Sequence, residues 1–325
     1  MRWRWAALAA ALVAAPLVLQ GAFYHRMLAL VLLAALASSA WNLVGGYAGQ
    51  VSFGHAIFFG AGAYLPALVY THWQAAPTIG IPVGVAVAVV IAIVIGMPTF
   101  RLRGHYFSMA TIAVAELIRI LVSNWPFLGA AIGLQGPASA RSLWDLTFRS
   151  SVPYYYLFLG VLVALLAVTL KIERSRMGYY LRAIRAGERA ARSLGVPVRR
   201  YKLYALILSA AFTALAGSLY VLMIGFVDPD SGLGILVSVQ IVIVAALGGA
   251  GALFGPLLGA AILVPLQHVA NTLFGGSGTG LTYIFYGGII ILLSRFEPGG
   301  LLELWRAQVA SRALRLQRSG AGHPD

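Results

Sequence analysis

The feature that most restricts this chain is a series of long apolar runs joined by short loops, with nearly all the arginines gathered into a few of those loops. In hydrocarbon every backbone N–H and C=O must be bonded within the protein, so runs of about 20 apolar residues become helices that cross the bilayer. Ten stretches qualify: 5–20, 27–45, 51–70, 79–99, 105–124, 153–170, 203–225, 233–248, 254–273 and 280–295. The third is the least regular, being rich in glycine and carrying His55 near its start. Composition points the same way. Hydrophobic residues make up 60% and charged residues only 10%, where a soluble domain carries about a quarter charged. The expected fold class is therefore an all-α integral membrane protein of about ten transmembrane helices. It forms one domain over 1–325, with a basic loop at 171–202 and a tail at 296–325. The first stretch, with Arg2 and Arg4 ahead of an apolar run from Ala6 to Leu19, also fits a signal peptide. A retained span is preferred, because the remainder of the chain is itself inserted.

The charges test this count. With a cytoplasmic N-terminus, the inner segments hold Arg2 and Arg4, Arg101 and Arg103, and ten basic residues in 171–202. They also hold Arg295, Arg306, Arg312, Arg315 and Arg318, which brings the total to 19 of the 23 Lys and Arg. Outer loops hold only Arg26, Arg141 and Arg149, and Arg119 lies within a span. This is the bias of cytoplasmic loops toward Lys and Arg, and it fits ten spans with both termini cytoplasmic. The same distribution explains the net charge of +14 without nucleic acid: the bases set topology and meet anionic lipid. Cysteine is absent, which excludes disulfides and thiolate sites. The stretch Leu301–Gln317 fits two readings, a surface helix with Leu301, Leu304, Trp305 and Val309 toward lipid, or a basic tail.

Catalytic patterns are missing. There is no G-x-x-x-x-G-K-S/T phosphate loop, no H-E-x-x-H, no G-x-S-x-G and no cluster at metal-ligand spacing. No catalytic residue, metal ligand or bound cofactor is expected. One acid–base pair falls within the spans, Glu116 and Arg119, three apart on one helix face. It fits either a polar element of a passage or a structural tie, and the tie is preferred; an ion-driven carrier usually has several such groups.

Three clusters stand out. The first runs from Asn42 through Gly45, Gly46 and Gly49 to Gly54, adding Gln50, Ser52 and His55. Glycine at this density permits non-helical backbone and close approach, and polar irregular backbone at membrane depth must be buried or line a cavity. It fits a packed corner or part of a passage, as does Gln240 in a later span. The second cluster, Gly248–Gly259, repeats Gly251, Gly255 and Gly259 at every fourth residue, a pattern of close helix crossings. It resembles the first cluster with a spacing shifted by one. The third is the basic loop, where Arg182, Arg185, Arg189 and Arg192 recur at helical spacing beside an apolar line of Leu181, Ile184, Ala191 and Leu194. Gly187 and Gly195 are placed to end helices in the left-handed conformation, and Pro197 blocks continuation. Two short amphipathic helices, about 178–186 and 188–194, are expected, forming a docking surface for another protein.

At these clusters the chain resembles the branched-chain amino acid ABC-transporter permeases of the LivM-like kind. The matching stretches are 42–64, 101–119, 178–203 and 247–258, with shorter ones at 210–220 and 296–300. The resemblance implies a subunit of a bacterial inner-membrane importer that works with a second homologous permease, two cytoplasmic ATPases that use the ATP, and an extracytoplasmic solute-binding protein. It also implies an E-A-A-x-x-x-G type motif that docks on the ATPase. Ala190, Ala191 and Gly195 fill its A-A-x-x-x-G positions, while Arg189 stands where the motif has Glu and Glu188 lies one residue earlier. Same-family permeases for urea, short amides or aromatic acids are not separated by these residues. A self-driven secondary carrier is the remaining alternative from another class.

Overall fold

A computed structural model describes residues 12–19, 21–102, 104–136, 146–273 and 287–288. Helix α1 spans Ala22–Asn42 and runs on as a wider π turn over Leu43–Tyr47. It is followed by α2 (His55–Trp73), α3 (Pro77–Thr99), α4 (His105–Ser123) and α5 (Ser151–Glu173). The basic loop folds as α6 (Arg176–Ala186) and α7 (Glu188–Ser193). Then come α8 (Val198–Ile224), α9 (Pro229–Leu233), α10 (Ile235–Gly248) and α11 (Gly255–Leu273). Among the described residues six helical stretches are long and apolar enough to cross a membrane. The expected spans 27–45 to 254–273 each meet a helix. Residues 12–18 of the first are helical; of the span 280–295 only 287–288, both helical, are described, and the tail 296–325 lies outside the described residues.

The helix α2, least regular in sequence, is the innermost. It packs against α3 and α8, while α1 packs against α5, α8 and α11. Its glycines suit this position, since an enclosed helix needs small residues for close approach more than lipid-facing bulk. A β-carbon on Gly62 would overlap the Ala214 carbonyl of α8, and one on Gly217 would overlap the Phe59 carbonyl of α2. On α3 the buried residues Gly80, Gly84, Ala88, Ala92 and Gly96 fall at every fourth position, a small-residue stripe against α2 and α8. The sequence reading took 79–99 only as an apolar run.

The loops meet in two groups. At one end Leu134–Gln135 (β1) pairs antiparallel with Phe226–Val227 (β2), Thr71 Oγ1 donates to the Gln135 carbonyl at 3.0 Å, and His72 Nε2 lies 3.0 Å from the Phe127 carbonyl. At the other end residues 46–54, 100–102, 174–198 and 249–252 converge. That grouping follows the alternation of sides expected from the arginines.

Candidate functional site

The basic loop folds on its own small core of Ile184, Ala191, Val196 and Val198. Leu181 and Gly178 bury inward as well, Gly178 lying against the Ile172 carbonyl and Glu173. Two expectations are corrected here. Gly187 is extended (φ 178°, ψ 107°) rather than left-handed, because it ends α6 and caps the start of α7 at once, and an N-cap needs extended backbone. Leu194 is 83% exposed and not part of the apolar line. Gly195 turns left-handed at φ +80°, reversing the chain so that Val196 takes the inward place and its N–H donates to the Ala191 carbonyl at 3.1 Å.

The charged residues of the loop divide by direction. Glu188 accepts from Lys202 Nζ at 2.7 Å and from Arg192 at 3.1 Å, and Lys202 is fully buried at 0% exposure. The carboxylate is therefore committed to the loop's own fold. Arg182 donates to the Glu173 carbonyl at 2.9 Å and lies over the Tyr179 ring. Facing outward are Arg189, Ala190 and Leu194, with Gly195 beside them and open space where its β-carbon would be.

Arg185 points the other way, into the bundle. Its Nη1 donates to the Gly46 carbonyl at 2.6 Å and lies 3.4 Å from the Ala250 carbonyl. The first of these is short and charge-assisted, the stronger class of hydrogen bond. Asn42 joins the same two strips of backbone: its Oδ1 accepts from the Gly251 N–H at 2.7 Å and its Nδ2 donates to the Ala252 carbonyl at 2.9 Å. Glycine is required at two of these places. A β-carbon on Gly46 would overlap the Asn42 side chain and the Gly251 nitrogen, and one on Gly251 (φ +89°) would overlap the Arg185 guanidinium. Tyr47 Oη adds a tie to Glu173 Oε1 at 2.6 Å, so the π turn of α1 is held to the end of α5. All three clusters singled out in the sequence thus meet at one point. Gly255 and Gly259 do pack helices, against Gly249 and Val244 at the end of α10, whereas Gly251 serves the Arg185 contact instead.

Residues 48–54 are non-helical yet bonded by side chains of neighbouring helices, as irregular backbone in a membrane must be. Trp41 Nε1 donates to the Ser52 carbonyl at 2.7 Å, Ser108 Oγ to the Val51 carbonyl at 2.7 Å, and the Phe53 N–H to Thr111 Oγ1 at 3.1 Å. Ser52 Oγ accepts from the Gly54 N–H at 3.3 Å, and the Ala56 N–H donates to Ser238 Oγ at 2.8 Å. His55 is fully buried, with Nε2 2.7 Å from Ser209 Oγ. Ser209 spends its hydroxyl proton on the Ala40 carbonyl at 2.6 Å, so Nε2 is the donor. The other ring nitrogen, Nδ1, is buried without a hydrogen-bond partner among the described residues.

The remaining candidates lie apart. The Gln50 N–H closes the π turn on the Val44 carbonyl, and Gln240 Nε2 reaches Gln267 Oε1 at 3.3 Å, between α10 and α11. Glu116 and Arg119 sit roughly four turns along α4 from the basic loop, where Arg119 bonds both Glu116 and Asp230 Oδ1, the latter at 2.8 Å. This three-member group ties α4 to α9. Sequence reasoning missed Lys202, Tyr47–Glu173, Ser209, Ser238 and Gln267, which carry no local signal.

Residues 23–294 match the family described as "Branched-chain amino acid transport system / permease component". The chain belongs to that family. It is 31% identical over 293 residues to the high-affinity branched-chain amino acid transport system permease protein LivM of Escherichia coli, an alignment covering 82% of this chain and 67% of that one. The Salmonella typhimurium LivM is 30% identical with the same coverage. The autoinducer 2 import system permease protein LsrC of Klebsiella pneumoniae is 32% identical over 165 residues, half of this chain and 46% of that one. No solved structure matches. As a member of this permease family with several apolar spans, the chain is a multi-pass protein of the bacterial inner membrane and the permease component of an ABC importer.

Proposed function

We propose that this chain carries branched-chain amino acids across the membrane through ten spans with both termini cytoplasmic. In this reading a second homologous permease completes the passage and two cytoplasmic ATPases drive it. An extracytoplasmic binding protein delivers the cargo. The cargo follows from the names of the LivM relatives, and the sidedness from the arginine distribution.

The observation that carries the coupling reading is Arg185, which fastens the basic loop to the broken end of α1 and to the turn between α10 and α11. A partner seated on the outward face of α7, against Arg189, Ala190, Leu194 and Gly195, moves the loop as one body, because Ile184, Ala191, Val196 and Val198 are packed together. The motion reaches α1 through Gly46 and Tyr47 and reaches α10–α11 through Ala250. Glu188 acts within the loop, holding α7 to Lys202 at the start of α8. The docking test is Leu194→Asp combined with Arg189→Glu in the reconstituted importer. The paired variant should insert normally while losing ATP-driven uptake and ATPase attachment; unaltered uptake would refute the docking face.

A further inference from the structure

A cleft of about 500 Å³ lies where α3 ends and α8 begins, lined by Phe100, Arg101, Arg192, Val196, Pro197, Val198, Arg199 and Arg200. Four guanidiniums and no carboxylate line it. Behind it Lys202 and Glu188 face each other at 2.7 Å and cancel, with Lys202 also 5.9 Å from the centre of the Phe100 ring. Arg192 shares that carboxylate at 3.1 Å, whereas Arg101, Arg199 and Arg200 have no ion-pair partner among the described residues. Helix α8, 27 residues long, starts at the cleft, so the positive end of its dipole adds to the same field. Four like charges held in one recess call for an anion.

The surroundings indicate which anion. The exposed residues of α3, among them Val83, Val90, Val94 and Met97, form one face opposite the buried stripe and run down through Pro98 to the exposed Arg101 at the cleft. In a chain that spans a membrane such a face lies against acyl chains, and it ends at the cleft mouth. We propose that the cleft holds the phosphate of an anionic phospholipid whose acyl chains lie along this face of α3. The geometry gives the headgroup a charged recess and the tails a continuous apolar track, which a soluble anion would leave unused. The site also borders α7 through Arg192 and the turn that follows it through Val196 and Pro197, so a bound lipid braces the loop where it leaves the bilayer.

The test uses the full-length chain, purified in neutral detergent, with retained lipids identified by native mass spectrometry and phosphatidylglycerol titrated against phosphatidylcholine. The parent should retain phosphatidylglycerol in preference to phosphatidylcholine. Arg101→Gln with Arg200→Gln should weaken that binding by about 25-fold, taking roughly fivefold for each basic residue near the surface. Arg174→Gln with Arg176→Gln, an equal charge loss elsewhere on the same loop, should change it by less than about threefold. Equal loss in both pairs, or equal binding of phosphatidylcholine, would overturn the site. Displacement by millimolar inorganic phosphate would assign the cleft to a soluble anion. Retention by the lone chain with loss on assembly with the partner subunits would assign it to a protein contact.

Discussion

Replacing Arg185 with alanine separates transmission from docking. The substitution removes one charge-assisted bond, to the Gly46 carbonyl at 2.6 Å, and a longer contact to the Ala250 carbonyl at 3.4 Å. A hydrogen bond to a charged group is worth about 1.5–3 kcal/mol. Because the Arg185 residue is exposed overall, the lower part of that range applies, and the longer contact adds little. A loss of about 1.5–2 kcal/mol corresponds to roughly a 10–30-fold shift away from the state in which the loop is fastened to both glycine-rich breaks. Arg185 contributes nothing to the outward face of α7, so the ATPases should still attach and hydrolyse ATP. The measurement is cargo transported per ATP consumed by the importer reconstituted in vesicles. Uptake should fall about tenfold while hydrolysis stays within about twofold of the parent. Lysine at this position should rescue in part, since it keeps the charge but not the forked donor. Alanine with an unchanged ratio of transport to hydrolysis would refute the linkage.

Other consequences follow from the same contacts. Gly251→Ala should destabilise the chain by about 1–3 kcal/mol, read as a lower Tm in detergent, because φ +89° is strained for alanine and the added carbon meets Arg185. Lys202→Met should cost about 3 kcal/mol by leaving Glu188 with only its exposed Arg192 partner, and adding Glu188→Gln should restore most of the loss. Joint replacement of Glu116 by glutamine and Arg119 by methionine should lower the Tm only slightly, because the group is solvent-exposed and screened, and leave uptake unchanged. A large loss of uptake there would place the group in the passage.

What could be read from the chain alone was whatever repeats at short range. The helices α6 and α7 were legible because Leu181, Ile184 and Ala191 recur at helical spacing between glycines. The alternation of loops was legible because arginine is costly outside its preferred side of a membrane. The bonds that unite the site were not legible, since Asn42 and Gly251 stand 209 residues apart and Arg185 and Gly46 stand 139 apart. No local pattern distinguishes an arginine that points into the bundle from one that points at a partner. Glu188 shows the same limit: its place beside the docking motif suggested a partner contact, but buried Lys202, fourteen residues on, holds it in the loop. The stripe from Gly80 to Gly96 was readable at four-residue spacing, yet the apolar length of 79–99 dominated the reading.

The most direct test is to purify the tagged chain from its native membranes, identify the subunits that accompany it, and measure uptake by the reconstituted assembly. The expected result is a second permease and two ATPases, with ATP-dependent uptake of leucine, isoleucine or valine only when the binding protein is supplied. Uptake by the purified chain alone, driven by an ion gradient and without ATP, would contradict it.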